Sequence, residues 1–397
     1  MTMAARISLI GASLLCGAAS LGGCAHARAP NKLEAPLERA MKRLSDDHPS
    51  IPGIIVAASS PRMGLDWEGA IGVVDRNGKD PLKPSDAFSI ASVTKVFTSA
   101  TVFRAIEEGK FGLYDPIGPL LSPETAAVLK KDRYDLEQIT VFQLLTHTSG
   151  VYDFATDKDW GNTIRSNPMR NWSRLEQIEY ATEHGDKMFE PGTDYSYSDT
   201  GYSLLSEIVE RGTGMPFPEA VAKLVDYKKL GLEHTHFDKL EAPLPGERRA
   251  QQYVGTINAN QRDPSTDLYG AGGIITTVGD LVRFIRPLMQ GKIFKDSATL
   301  PTSLLVPSVG KARVREHAAL LYTARLGKRT CWVHSGWWMV ELIYCPDIDL
   351  ALAVTTNQNI FVPEKPDVGA SADILKMELG KAIDELVETS KQRAPKH

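Results

Sequence analysis

Apolar and polar positions follow three regimes along this chain. Residues 37–48, "LERAMKRLSDDH", space apolar side chains three and four apart, which predicts an amphipathic helix. "GIIVAASS" (53–60) and "WEGAIGVVD" (67–75) are β-rich runs broken by "PRMG", a hairpin signal. From Ser92 the helical period returns: Val96, Phe97, Ala100, Val102, Phe103 and Ile106 recur up to Gly109. Residues 110–265 read as helices and long loops with few strand signals. β character comes back in "AALLYTARL", "RTCWVHSG", "VELIYCP" and "DLALAVTTNQ", and a last amphipathic helix is expected from about 371 to 391.

Strands therefore gather at both ends of the chain and helices in the middle. This pattern predicts an α+β (α/β) fold. An antiparallel sheet is built from both chain ends and flanked by the N- and C-terminal helices, with a mainly helical region inserted between. The expected sheet region is about 36–88 plus 266–390, and the helical region about 89–265.

Residues 1–24 stand apart from this pattern. One early arginine, Arg6, precedes an apolar core from Ile7 to about Leu21 and then small residues, which predicts an export signal. It is too short and too rich in small residues for a stable membrane span. Its end, Leu21-Gly22-Gly23-Cys24, resembles a lipobox, which would make Cys24 a lipidated N-terminus and the protein's link to a membrane. Residues 25–35 read as a tether and 36–390 as the folded domain. The expected location is the cell envelope, on the periplasmic side. A net charge of −4 gives no basic excess to hold nucleic acid.

Cys331 and Cys345 are the cysteines of the folded part. They flank two strand-like runs joined by a turn at Trp337–Met339. A hairpin folded about Trp338 places the two cysteines opposite each other, with Cα atoms about 4.5–5.5 Å apart. In an oxidising compartment they form a disulfide; otherwise they are two buried thiols.

Three short patterns carry candidate chemistry. Ser92 and Lys95 lie three apart at the expected start of a helix, where free N–H groups favour a developing oxyanion. Tyr197-Ser198-Asp199 precedes an apolar helix. A tyrosine must have its pKa of about 10 lowered to act as a base, and a nearby ammonium such as Lys95 would do so. His334-Ser335-Gly336 ends a strand, where small residues let a substrate backbone approach.

In this order the three patterns resemble the motifs of the serine β-lactamase-like hydrolases, of the class C β-lactamase, D,D-peptidase and esterase type. The family has Ser-x-x-Lys, Tyr-x-Asn and Lys/His-x-Gly. The stretches 139–154 ("ITVFQLLTHTSGVYDF"), 191–214, 270–284 and 334–358 are similar to its connecting segments, so the likeness runs from about 35 to 385. The resemblance implies an acyl-enzyme formed on Ser92 from a small-molecule or peptide amide or ester. Lys95 and Tyr197 would share the proton work, with either one as the base. Backbone N–H groups of Ser92 and Trp337 would hold the oxyanion. Asp199, His334, Ser335 and Gly336 would contact substrate, and no cofactor or metal is implied. His234-x-His236 falls at a structural turn of the family, and His147 organises a turn near the site. A β-lactamase, or a non-hydrolytic penicillin- or peptidoglycan-binding protein of the same fold, are the alternatives.

Two departures qualify the substrate. Asp199 replaces the usual asparagine, so an acceptor stands where the family has an amide donor, and it should hold Lys95 charged. Weak β-lactam turnover is expected from this, with peptidase or esterase work instead. His334 replaces a lysine, so its charge would depend on pH near 6.5. Trp337 and Trp338 either wall an acyl pocket or pack. Met339 stands where relatives have glycine.

Overall fold

Strands from both chain ends meet in one antiparallel sheet in the computed structural model, which describes residues 32–309, 317–359 and 368–393. The expected signal, Cys24 and most of the tether lie outside the described residues. Strands β1 (Gly53–Ser60) and β2 (Leu65–Gly72) form the N-terminal hairpin. "PRMG" closes it as a 3-10 turn, with Gly64 left-handed at φ 68°. Two short strands, β3 (Phe88–Ser89) and β4 (His236–Phe237), both pair with β5 (Ile274–Thr276) in a small separate sheet. The C-terminal half supplies β6 (Tyr322–Leu326), β7 (Arg329–Gly336), β8 (Val340–Cys345) and β9 (Leu350–Thr356). The main sheet runs in the order β2-β1-β9-β8-β7-β6, antiparallel throughout.

Helices cover both faces. Helix α1 (Ala35–Asp47) and the last helix pack on one face, where Leu37, Met41 and Leu44 meet Ile54, Val333, Ile343, Leu352, Leu379 and Ile383. Helix α2 (Thr94–Glu107), the short α3 (Val141–Leu145), α4 (Asp199–Thr213) and α5 (Val278–Met289) lie on the other side, in one large core. There Phe284 stacks on Phe97 with ring centroids 3.7 Å apart. The last helix, α6, runs Val368–Arg393. β1 and β9 are buried along their whole length, because helices cover both of their faces. Among the described residues no helix is long and apolar enough to cross a membrane.

The expected architecture is therefore present, with two corrections. "AALLYTARL" becomes strand only at Tyr322, because Ala318 N–H turns back onto the Leu321 carbonyl. The middle of the chain also contributes short strands, such as β4, whose two-residue length leaves no periodicity to read.

The β7–β8 hairpin folds about Trp338, pairing Gly336 with Val340 and Trp332 with Tyr344. Cys331 and Cys345 are joined in a disulfide, Cα to Cα 4.4 Å. Met339 takes φ 56° in the turn. This is a backbone region that favours glycine, and the Met339 side chain is buried in the α1/α6 core.

Candidate active site

The site lies where α2, α4, the Gly270–Gly273 turn and the end of β7 converge. Ala91, just before Ser92, has φ 44°, a left-handed conformation costly for a residue with a Cβ. A 3-10 turn over Ala91–Val93 then feeds α2, so Ser92 sits at the helix entrance and Lys95 in its first turn. Lys95 is 1% exposed; its Nζ donates to Ser92 Oγ at 3.0 Å and to the Ala271 carbonyl at 2.8 Å, and forms an ion pair with Asp199 Oδ1 at 2.6 Å.

Tyr197 and Asp199 reach Ser92 and Lys95 because of how α4 begins. Ser198 Oγ caps the helix by accepting from Gly201 N–H, 3.1 Å. His147 Nδ1 accepts the Ser198 N–H at 3.1 Å, and its ring stacks on Tyr197 with centroids 4.3 Å apart. Burial pushes the His147 imidazole well below its usual range, with His317, Lys95 and His334 adding to the effect. A neutral ring can accept at Nδ1, so His147 holds the turn that carries Tyr197.

The neighbouring Ser92 hydroxyl draws the Tyr197 phenol down, yet the phenol is pushed well above 10, first by burial and then by Asp199. This corrects the expectation that Lys95 would lower it. The carboxylate that pairs with Lys95 also faces the phenol and opposes any phenolate.

Asp153 is a site residue that the motifs did not mark. It is 3% exposed, and its Oδ1 accepts the Asp199 N–H at 3.0 Å. Burial, then the Asp199 carboxylate, raises its carboxyl. An aspartate in the apolar stretch Val151–Phe154 was the available signal.

The third motif divides between the two faces of the sheet. His334 faces the helical core beside His317 and Tyr322. It is 4% exposed, with Nδ1 3.0 Å from the Ser335 carbonyl, and burial holds its pKa well below 6.5. It is thus a neutral ring, not the cation switching near pH 6.5 that the motif suggested.

Ser335 points the other way. Its hydroxyl donates to Glu341 Oε1 at 2.7 Å and also contacts the Tyr322 hydroxyl. Strand alternation turns the Ser335 side chain toward α6, so a substrate contact at Ser335 would come from its backbone. Gly336 is needed for close approach, since a Cβ there would lie 2.4 Å from the Ile90 carbonyl oxygen. That contact fixes the β7 end and the following Trp337 against the segment that carries Ser92. Trp337 is 47% exposed, whereas Trp338 is buried beneath the Arg262 guanidinium. His236 Nε2 pairs with Glu247 at 2.7 Å, away from this centre.

Glu341 is buried opposite Ser335, with Lys376 Nζ 3.6 Å away. Burial pushes its carboxyl up to about 7 against the pull of Lys376 and Ser335. The folded state then binds a proton more tightly than the unfolded chain, so Glu341 adds stability below about pH 4.5 that is lost as pH rises through about 7. Glu341→Gln should flatten this slope by about 2–3 kcal/mol between pH 4.5 and 7.5. Urea unfolding of both proteins at the two pH values checks it, and parallel slopes would refute it.

A model of the Beta-lactamase family matches residues 38–375. The chain belongs to the beta-lactamase family. A beta-lactamase of Pseudomonas fluorescens is 28% identical over 219 residues, covering 55% of this chain and 55% of that one. The D-alanyl-D-alanine-carboxypeptidase/endopeptidase AmpH of Escherichia coli (strain K12) is 24% identical, covering 52% of this chain and 50% of that one. The chain spans about half the length of the curated relatives it matches. Among solved structures, the D-amino acid amidase of Ochrobactrum anthropi SV3, complexed with L-phenylalanine, superposes with a TM-score of 0.73 at 22% identity. That match covers 91% of this chain and 99% of the amidase, and it shows a shared fold.

Proposed function

We propose that this beta-lactamase-family chain is a serine hydrolase that forms an acyl-enzyme on Ser92 from small amides and esters. One observation carries the reading: Lys95 Nζ contacts Ser92 Oγ at 3.0 Å and Asp199 Oδ1 at 2.6 Å. As Ser92 attacks the carbonyl carbon, its proton enters the Lys95–Asp199 pair. Tyr197 donates its proton to the leaving group as the proton taken from Ser92 returns to its oxygen, so it stays a phenol and no phenolate accumulates. The Ser92 and Trp337 N–H groups hold the oxyanion until water releases the acid.

D-Amino-acid amides and peptides and short esters are the preferred substrates in this reading, ahead of β-lactams. Asp199 supports this, since a carboxylate paired to Lys95 offers no N–H to a β-lactam side-chain carbonyl. The fold shared with a D-amino acid amidase is in keeping with it. The test is a panel of D-amino-acid amide, D-Ala-D-Ala peptide, short p-nitrophenyl esters and a chromogenic cephalosporin. Amide or ester turnover with little cephalosporin cleavage is expected. Asp199→Asn should raise cephalosporin kcat/KM by about ten-fold, the worth of one hydrogen bond to substrate. Efficient cephalosporin turnover by the wild type would refute the preference.

The same reading places the protein in the cell envelope, lipid-anchored through Cys24. The Cys331–Cys345 disulfide supports export, since such bonds persist in oxidising compartments. Cys24→Ala should move the protein from the membrane fraction to the soluble one; an unchanged distribution would count against the anchor.

A further inference from the structure

A cleft of about 200 Å³ opens at the strand that leads toward Ser92, between the β3–β5 edge and the β7–β8 turn. Ser89, three residues before Ser92, and Trp338, the residue after Trp337, both line it. Most of its polar walls are already satisfied. Gln252 clamps the Ser89 backbone, accepting from its N–H at 2.9 Å and donating to its carbonyl at 3.0 Å. Asn260 accepts the Gln252 N–H at 2.8 Å. Arg249 is paired to Asp238 at 3.0 Å and to Glu247.

Two charged side chains in the lining differ. The Arg262 guanidinium lies over Trp338, 4.5 Å from the ring centroid, and makes no side-chain hydrogen bond or ion pair among the described residues. A guanidinium has five N–H donors in a fork suited to a carboxylate, and an aromatic face leaves that fork free. Asp267 stands over Gly272, where a Cβ would fall 2.1 Å from its Oδ1, and its carboxylate likewise lacks a hydrogen bond or ion pair among the described residues. The two feel each other's charge but do not form a salt bridge. One cleft thus holds a cation and an anion, each with its bonding capacity unused. Both side chains are partly buried, so water meets these groups until a ligand displaces it.

We propose that this cleft is a substrate subsite for a zwitterionic α-amino-acid head, its carboxylate on Arg262 and its ammonium on Asp267. The occupant belongs to the acyl part of the substrate. A leaving group must touch the groups that protonate it, and none of Lys95, Tyr197 and His147 lines the cleft. This rests on the reading of Ser92 as the acylated nucleophile. Among such amides and esters it favours those whose acyl group also carries a free amino-acid terminus away from the scissile carbonyl. Arg262 and Asp267 are then specificity-determining residues, and Gln252 positions the backbone just before Ser92.

Four p-nitroanilides separate the two charges: γ-glutamyl (both), glutaryl (carboxylate alone), 4-aminobutanoyl (ammonium alone) and butanoyl (neither). Calorimetry on the full chain carrying Ser92→Ala reads binding without turnover. The γ-glutamyl compound should bind at least about ten-fold more tightly than butanoyl, as paired charges in a partly desolvated site do. Adding Arg262→Met should erase the advantage of the carboxylate and keep that of the ammonium; adding Asp267→Asn should do the reverse. Arg262→Lys, which keeps the charge but loses the fork, should fall between and serves if the methionine variant does not fold. Equal affinity for all four anilides, or a preference that both variants leave intact, overturns the subsite. Zwitterion-selective binding with no hydrolysis of any anilide by the wild type would overturn the hydrolase reading and leave the subsite standing.

Discussion

Ser92→Ala abolishes covalent labelling by a fluorophosphonate and lowers p-nitrophenyl ester hydrolysis by at least about 10³-fold, the scale seen when an acylated nucleophile is removed. The expectation rests on contacts that converge on one hydroxyl. Lys95 reaches Ser92 Oγ at 3.0 Å, and Tyr197 is its electrostatic neighbour. Lys95 is buried with Asp199 as its counter-charge. Enclosing an ion pair of this kind contributes little net stability on its own, so its presence at a cleft fits a chemical use. The alanine variant should fold normally, because it deletes one oxygen and leaves Lys95 two other acceptors. Circular dichroism and the unfolding midpoint would separate loss of chemistry from loss of fold.

Gly336→Ala has the next largest expected effect. The added methyl would stand 2.4 Å from the Ile90 carbonyl oxygen, which is backbone and cannot swing aside. The end of β7 must move away from the segment leading into Ser92. Trp337 follows directly, so its N–H leaves the place where it would meet the oxyanion. Losing one such donor lowers kcat by about 10²–10³-fold. The strain should also cost about 1–3 kcal/mol of stability. A kcat defect in ester hydrolysis far larger than the change in KM is the expected signature. Wild-type kcat in a folded Gly336→Ala protein would remove Trp337 from the oxyanion role.

The parts legible in the sequence were those with local periodicity or a short motif. The β1–β2 hairpin, the cysteine pairing across the β7–β8 turn and the sheet built from both ends all follow from alternation and turn residues. Signs of interaction were harder to read. Asp199 was recognised as a partner of Lys95, but its effect on Tyr197 depends on burial, which reverses the expected shift. His334 looked like a titrating cation until the sheet placed it beneath His317 and Tyr322. The Ser335 hydroxyl faces Glu341, a direction that only strand alternation in the folded sheet sets. Arg262 and Asp267 carry no motif, since they come from a loop that only the fold brings beside Trp338 and Ser89.

The central claim is that Ser92 becomes acylated. Peptide mapping by mass spectrometry after treating the full chain with a labelled penicillin or a fluorophosphonate reads this directly. The expected result is a single adduct on the peptide containing Ser92, absent from the Ser92→Ala protein. An adduct on another residue, or hydrolysis of esters that persists in Ser92→Ala, would contradict it.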